Sequence, residues 1–169
     1  MSAPGKIQTA AALARIRGRL RDEGKTVVFT NGCFDLIHAG HIRLFQQARK
    51  LGDVLIVALN SDASIRRLKG RSRPVFPLAE RLEILEAVEA IDFLTSFSED
   101  TPRRIIASLV PDVLVKGGDW QPDQVVGREE VEAAGGKVVI VPYLEGRSTS
   151  SIIRQSAGSG RRPAPGRRS

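Results

Sequence analysis

Residues 26–59 read "TVVFTNGCFDLIHAGHIRLFQQARKLGDVLIVAL". Two apolar runs, Thr26–Thr30 and Val54–Leu59, enclose a stretch at Gly40–Leu51 whose apolar residues recur at helical spacing. Neither run alternates apolar with polar residues, which is typical of strands in a parallel sheet covered by helices on both faces. The stretch therefore predicts a strand, a helix and a second, parallel strand.

The same alternation continues along the chain. Further strands are predicted at Phe93–Ser96, Val113–Lys116 and Val138–Val141, and further helices at Leu78–Ala90, Pro102–Leu109, Arg128–Ala134 and from about Ser150. This order predicts the α/β class, as a Rossmann-like, doubly wound parallel sheet of five strands. Such sheets bind ligands beyond the carboxyl ends of the strands, where the strand order reverses.

The length of 169 residues suits one compact domain with short flanking segments. We expect an N-terminal helix within residues 1–25, because Leu13, Ile16 and Leu20 recur at helical spacing after Thr9, a candidate cap. Residues 26–155 form the predicted main domain. Residues 156–169, "SAGSGRRPAPGRRS", consist mostly of Gly, Pro, Ser and Arg, and we expect them to be a disordered basic tail.

The net charge of +7 raises the question of a nucleic-acid partner. Four of the 26 basic residues lie in the tail, which leaves 22 basic against 19 acidic residues in 1–155. This balance is ordinary, so a basic nucleic-acid-binding module is only an alternative interpretation. No apolar run approaches the ~20 residues that a membrane helix needs. A single cysteine, Cys33, excludes an internal disulfide and suits a reducing compartment, so we expect a cytoplasmic protein.

Two histidines follow the first predicted strand and open the next helix. His38 and His41 share a face at this helix start, where unpaired backbone amides attract anions. Gly32 and Gly40 flank the loop and let the backbone turn sharply. Imidazole donors and a helix start could hold the α-phosphate of a nucleotide while its phosphorus is attacked, which points to nucleotidyl transfer.

Two other interpretations of the histidines remain open. Zinc could be bound by Cys33, Asp35, His38 and His41, although their spacing matches no usual structural zinc site. Alternatively, the histidines could serve only in capping and packing.

Three further segments follow predicted strands. The basic cluster Arg66–Pro74 is predicted as a loop from Gly70 and Pro74, and Lys69 and Arg73 in it are candidates for gripping a triphosphate. Arg81 lies at the edge of the apolar face of the next helix, within reach of such a site.

The last two predicted strands are also followed by candidate ligand groups. Gly117 and Gly118 allow a nucleotide close to the backbone, Asp119 can accept a hydrogen bond, and Trp120 can pack on a base. Four hydroxyl residues, Ser148, Thr149, Ser150 and Ser151, predict a capped helix start that can also hold phosphates.

These segments resemble a known family, the cytidylyltransferase-like nucleotidyltransferases, through "HAGH" at 38–41 and "RSTSSI" at 147–152. The resemblance covers about Thr26 to Arg154. Within that superfamily, "TNGCFDLIHAGH", "NSD", "LKGRSRPV" and "LVKGGD" are most similar to D-glycero-β-D-manno-heptose 1-phosphate adenylyltransferases, which make ADP-heptose for lipopolysaccharide. The polyol-phosphate cytidylyltransferases are the alternative.

The resemblance implies AMP transfer from ATP to a sugar 1-phosphate, with Mg²⁺ as cofactor and pyrophosphate as the second product. It implies a nucleotide loop made of Thr30, Asn31, Gly32, Phe34, Asp35, His38, Gly40 and His41. It further implies phosphate contacts by Lys69 and Arg81 and a nucleotide contact by residues 148–151. We expect small-molecule partners, no membrane or nucleic-acid partner, and a homodimer as the oligomer to test.

Overall fold

A five-stranded parallel sheet forms the centre of the computed structural model, which describes residues 5–118 and 120–142. The strands are β1 (Val27–Gly32), β2 (Val54–Asn60), β3 (Phe93–Phe97), β4 (Val113–Gly117) and β5 (Lys137–Val141). Their order is β3-β2-β1-β4-β5, with β1 in the centre. The predicted α/β class and doubly wound, Rossmann-like sheet are confirmed.

Helices cover both faces of the sheet. They are α1 (Ala10–Asp22), α2 (Ala39–Arg49), α3 (Asp62–Lys69), α4 (Leu78–Glu86), α5 (Arg103–Leu109) and α6 (Arg128–Ala133). Apolar residues of α2 and α4 pack on one face, and those of α1, α5 and α6 pack on the other. Successive β1 residues Val28 and Phe29 therefore enter different cores, which explains why the strand is apolar throughout.

Helix α3 was missed by the sequence prediction. Arg66 and Lys69, assigned to a loop, belong to its last turns, and the loop begins only at Gly70. The local signal was present: Ser61 caps the helix by accepting a hydrogen bond from the Ser64 amide at 3.2 Å, and Ile65 is fully buried. With eight residues the helix is too short for a clear periodic pattern.

Helix α4 ends at Glu86, four residues before the predicted Ala90. The amide of Val88 bonds to the Leu85 carbonyl at 3.0 Å, and the Ile91 amide bonds to the Val88 carbonyl at 3.2 Å. These tight turns redirect the chain into β3; Ile91, just before the strand, and Leu94, within it, are buried.

The predicted N-terminal helix is present as α1, capped by the Thr9 hydroxyl, which accepts from the Ala12 amide at 3.1 Å. Just before it, the chain pairs with the outer edge of β3. The Gln8 amide donates to the Leu94 carbonyl, and the Leu94 amide donates to the Lys6 carbonyl, both at 2.8 Å. This pairing covers part of an otherwise open sheet edge.

The helix predicted from about Ser150 and the basic tail 156–169 lie outside the described residues. Among the helices of the described part, none is long and apolar enough to cross a membrane.

Candidate active site

The strand order reverses at the carboxyl end of β1. Strand β2 lies on one side of β1 and β4 on the other. From β1 the chain runs through residues 33–38 into α2, so the two histidines lie at this switch point. Ligands of doubly wound sheets bind at this place.

His38 caps α2 with its own side chain. Its Nδ1 accepts a hydrogen bond from the Gly40 amide at 3.1 Å, which puts the ring proton on Nε2. The His41 amide bonds to the His38 carbonyl at 2.9 Å. These two amides are therefore paired, and our expectation of unpaired amides for an anion at this helix start is wrong for them. At this helix start the imidazole groups, rather than these two amides, form the polar surface.

The two imidazole rings are stacked. Their centroids are 3.8 Å apart, and the ring planes differ by 27°. A Cβ on Gly40 would lie 2.9 Å from His38 Nδ1, so this close arrangement requires glycine. A side chain at position 40 would displace the His38 ring, so Gly40 makes room for the ring to stack on His41.

Phe34 supports His41 from below. It is buried, it adopts the unusual φ of +44°, and its ring meets the His41 ring edge-on at a centroid distance of 5.3 Å. A Cβ on Gly32 would come within 3.0 Å of the Phe34 ring. Phe34, expected in the nucleotide loop, thus packs against His41, and Gly32, also expected there, makes room for the Phe34 ring.

His41 has an unusual electrostatic environment. Burial, the neighbouring His38 and the charge of Lys69 lower the pKa of His41 to about 4, so the ring is neutral at pH 7. Its Nδ1 is buried and has no hydrogen-bond partner within the described part of the chain. A neutral imidazole can donate one hydrogen bond without adding a buried charge.

Lys69 and Arg73 take different positions from each other. Lys69 is exposed at the end of α3, and its charge contributes to the lowered pKa of His41; the phosphate contact predicted for Lys69 stays a prediction. Arg73 turns inward, and its Nε donates to Asp35 Oδ2 at 2.5 Å. Its Nη2 has no hydrogen-bond partner among the described residues, and the contact predicted with a triphosphate stays a prediction.

Asp35 holds the loop that joins α3 to α4. Besides the Arg73 contact, its Oδ1 accepts from the amides of Val75 at 2.8 Å and Phe76 at 3.1 Å. Its side chain is 1 % exposed. Asp35 was expected to contribute to the nucleotide loop, but here its carboxylate is occupied by protein groups.

Arg81 is fully buried rather than placed at the edge of the apolar face. Its guanidinium donates to the Cys33 carbonyl at 2.6 Å, to Asp62 Oδ1 at 2.8 Å and to the Phe76 carbonyl at 3.1 Å. It therefore connects the histidine loop, the start of α3 and the α3–α4 loop. The phosphate contact expected of Arg81 is replaced in this structure by contacts within the protein.

The ends of β1 and β4 bring Asn31 and Lys116 together. The Lys116 ammonium donates to Asn31 Oδ1, and burial lowers the pKa of Lys116 to about 8. Thr30, which precedes Asn31 in the chain, is also buried. Its hydroxyl has no hydrogen-bond partner among the described residues. Gly118 continues β4 with a φ of +113°, a conformation that favours glycine, and its amide bonds to the Val141 carbonyl at 2.9 Å.

Sequence reasoning singled out Asn31 but not Lys116. Lys116 was predicted only as the last residue of a strand, although a lysine at the carboxyl end of a buried strand is itself a signal of function. Asp62 was also missed, and its position directly after the Ser61 cap could have marked it as the first residue of α3.

Five predicted nucleotide contacts, Asp119, Ser148, Thr149, Ser150 and Ser151, lie outside the described residues. The zinc alternative finds no ligand set in the described ranges 5–118 and 120–142, where no three His, Cys, Asp or Glu residues are grouped to hold a metal. The Cys33 thiol instead lies 3.9 Å from the side-chain oxygen of Asn60.

Comparison with known sequences gives one family. A family model described as "Cytidylyltransferase-like" matches residues 29–155. This range includes the histidines, the α3–α4 loop and the hydroxyl-rich segment.

Among the similar proteins, two relatives illustrate the likeness, and both carry the name "Bifunctional protein HldE". The one from Citrifermentans bemidjiense is 53 % identical over 154 residues, which cover 91 % of this chain and 32 % of the relative. The one from Proteus mirabilis is 53 % identical over 148 residues, which cover 88 % of this chain and 30 % of the relative. The chain thus spans about a third of the length of the curated relatives it matches.

Solved structures share the fold. The lipopolysaccharide core biosynthesis protein from Thermoplasma volcanium superposes with a TM-score of 0.59 at 27 % identity, covering 73 % of this chain and all of that one. Pantothenate synthetase from Thermus thermophilus gives a TM-score of 0.58 at 17 % identity, and the match covers 83 % of this chain and 63 % of that one. At this identity the likeness is one of fold alone.

Proposed function

The chain belongs to the cytidylyltransferase-like family, and we propose that it is a sugar-phosphate adenylyltransferase. The proposed reaction transfers AMP from ATP to D-glycero-β-D-manno-heptose 1-phosphate and yields ADP-heptose and pyrophosphate. The observation that carries the chemistry is the stacked pair His38 and His41 at the switch point. The HldE relatives, and the lipopolysaccharide core protein of similar fold, support the choice of acceptor.

The proposed step needs no general base. An oxygen of the acceptor phosphate attacks the α-phosphorus, the bond from that phosphorus to the bridging oxygen breaks, and pyrophosphate leaves with the electron pair. A phosphate monoester with a second pKa near ~6 is already largely ionised at neutral pH. The histidines therefore act as donors to oxygens that gain charge in the transition state.

Mg²⁺ belongs to this proposal as a companion of ATP. Next to His41 lie the Phe34 and His38 rings, Lys69 acts on it by its charge, and the Asp35 carboxylate is engaged by Arg73 and two amides. This donor set suits an ion that is held mainly by phosphate oxygens and water, as Mg²⁺ commonly is. When bound, it would neutralise charge on the leaving pyrophosphate.

The test is incubation with ATP, Mg²⁺ and D-glycero-β-D-manno-heptose 1-phosphate, with pyrophosphate and ADP-heptose measured separately. We expect both products in equal amounts, and much less product when CTP replaces ATP. Absence of both products with ATP rejects the proposal. Efficient transfer from CTP to glycerol 3-phosphate would assign the chain to the alternative, a polyol-phosphate cytidylyltransferase.

We further infer a cytoplasmic enzyme that acts on these small molecules, and a homodimer. The single cysteine and the nucleotide substrates support the cytoplasmic location. Light scattering coupled to gel filtration measures the oligomeric state directly, and the mass of a single 18.4 kDa chain would contradict the dimer.

A further inference from the structure

Lys116 and Asn31 form a cross-strand pair at the carboxyl edge of the sheet. Thr30 of β1 lies opposite Val115 of β4, so Asn31 and Lys116 are the next neighbours along the two strands. Side chains alternate along a strand, which puts both residues on the face that Phe29 and Leu114 share. The pair thus ends the core beneath α1, α5 and α6.

The Lys116 charge has no counterion in the described structure. The ammonium donates to the amide oxygen of Asn31, and none of the ion pairs among residues 5–118 and 120–142 includes Lys116. Burial disfavours an unpaired ammonium and lowers the pKa of this group. An apolar side chain would fill such a position at less cost, so the lysine calls for an anion.

The strand order indicates which anion this is. Lys69 follows β2 and Lys116 ends β4, and these strands flank β1 from opposite sides. In-line transfer requires the attacking and leaving oxygens on opposite sides of the phosphorus. Since Lys69 acts on His41, a leaving pyrophosphate fits the β2 side. The attacking phosphate then fits the β4 side, at Lys116.

We propose that the Lys116 ammonium, oriented by the Asn31 side-chain oxygen, binds the phosphate group of the acceptor. This inference rests on the proposed function. Lys116 keeps its proton throughout: the acceptor oxygen forms the new bond to the α-phosphorus, and the electron pair of the broken bond leaves with pyrophosphate. Its contribution is to hold a negatively charged nucleophile in line beside other negative phosphates.

The test compares three variants. Lys116→Met removes the charge and keeps the length, whereas Lys116→Arg keeps the charge. The control, Lys137→Met, removes an exposed lysine at the amino end of β5, far along the strands from the carboxyl edge where Lys116 lies. We expect Lys116→Met to raise KM for heptose 1-phosphate about 10- to 100-fold, the range for losing one hydrogen bond to a charged group. KM for ATP should stay within about twofold, since the proposal gives Lys116 no ATP contact. Lys116→Arg should recover part of the loss, and Lys137→Met should match the unaltered chain.

Two outcomes would overturn the inference: an unchanged acceptor KM in Lys116→Met, or a rise in KM for ATP as large as that for the acceptor. Thermal unfolding separates binding from folding. Lys116→Met removes a buried charge but leaves Asn31 Oδ1 without its donor, so the two effects oppose each other and the midpoint should change little.

A binding measurement separates this inference from the proposed function. Calorimetry with inorganic phosphate, in the presence of the non-transferable analogue α,β-methylene-ATP, probes the acceptor side while the triphosphate side is filled. Phosphate binding that is lost in Lys116→Met supports the site even if heptose 1-phosphate gives no product. Phosphate binding that is equal in both proteins overturns it, whatever the reaction.

Discussion

His41 is neutral at pH 7 because it is enclosed by protein and lies near His38 and Lys69, which lower its pKa to about 4. A neutral ring beside cationic Lys69 avoids repulsion and still offers an N–H donor. The supporting residues follow from this requirement: Phe34 packs edge-on against the ring, and Gly40 leaves space for the stack with His38. The loop therefore holds the two imidazole rings in one fixed, stacked arrangement.

Replacing His41 by Ala should lower turnover about 100-fold, as expected for one lost transition-state donor. The measurement is steady-state ADP-heptose formation, with the thermal midpoint as a check of folding. Gln46→Ala is the matched control, because Gln46 is exposed on the same helix. Turnover of a folded His41→Ala protein at the level of this control would remove His41 from the mechanism.

The lowered pKa of His41 also predicts how stability depends on pH. The ordinary histidine pKa of about 6.5 applies to the unfolded chain, so between pH 6.5 and 4 the unfolded chain binds more protons than the folded one. Stability should therefore fall as the pH falls through this window, by about 2–3 kcal/mol from His41 alone.

Urea unfolding at pH 7 and pH 4.5 measures this effect. Carboxylates contribute in every variant, so the quantity to compare is the loss of unfolding free energy in the unaltered chain and in His41→Ala. We expect the smaller loss in the variant. Equal losses would show that His41 is not held neutral in the folded state.

At the level of elements, one buried ion pair joins the α3–α4 loop to the histidine loop, and a buried arginine of α4 joins the same loop to the start of α3. Arg73 contacts Asp35, and Arg81 contacts Asp62 and the Cys33 carbonyl. Both arginines were predicted as ligand contacts and are found as connections between elements. In this structure they connect the histidine loop with α3, α4 and the loop between them, and the contacts predicted for them with a ligand stay predictions.

Loosening this connection should expose the loop to protease. Asp35→Asn keeps the shape of the side chain but removes the charge that pairs with Arg73. A hydrogen bond to a charged group stabilises a folded structure by about 1.5–3 kcal/mol, and this contribution should be lost. Arg71 is exposed in the loop, and we expect trypsin to cleave the native protein after it about 10- to 100-fold faster in the variant.

Asp100→Asn is the control for this experiment. It loses an ion pair with Arg67, but both side chains are about half exposed, so cleavage should stay near that of the unaltered chain. A cleavage rate in Asp35→Asn equal to that of the control would show that the loop is held by other contacts. Mass spectrometry of the fragments identifies the cleaved bond.

The strands and most helices could be predicted from the sequence, because burial on both faces of a parallel sheet leaves continuous apolar runs such as Val54–Leu59. Short polar α3 gave too little periodicity to be seen. The orientation of Arg73, Arg81 and Lys116 could not be predicted, since each is fixed by a partner 38, 48 or 85 residues away in the chain. The position of His38 and His41 was predictable because it depends on local order alone.

For the whole molecule, the distribution of charge separates the enzyme from a nucleic-acid-binding module. Residues 156–169 carry four arginines and no acidic residue, whereas the candidate site residues all lie within 30–151. Binding of ATP should stabilise the folded state by about 2.7 kcal/mol at 100 times its dissociation constant, and this gain depends only on the site. Attraction to a polyanion should depend on the arginines.

Shortening the chain to residues 1–155 therefore should keep the ATP-linked rise in thermal midpoint and abolish salt-dependent binding to single-stranded DNA. If all four arginines contact phosphates, the logarithm of the binding constant should fall with the logarithm of salt concentration with a slope of about −3 in the full chain. Thermal unfolding with ATP or CTP and fluorescence anisotropy with a labelled oligonucleotide provide the measurements. DNA binding that persists in residues 1–155, together with no stabilisation by ATP, would favour the nucleic-acid-binding alternative, because the basic surface would then belong to the folded domain.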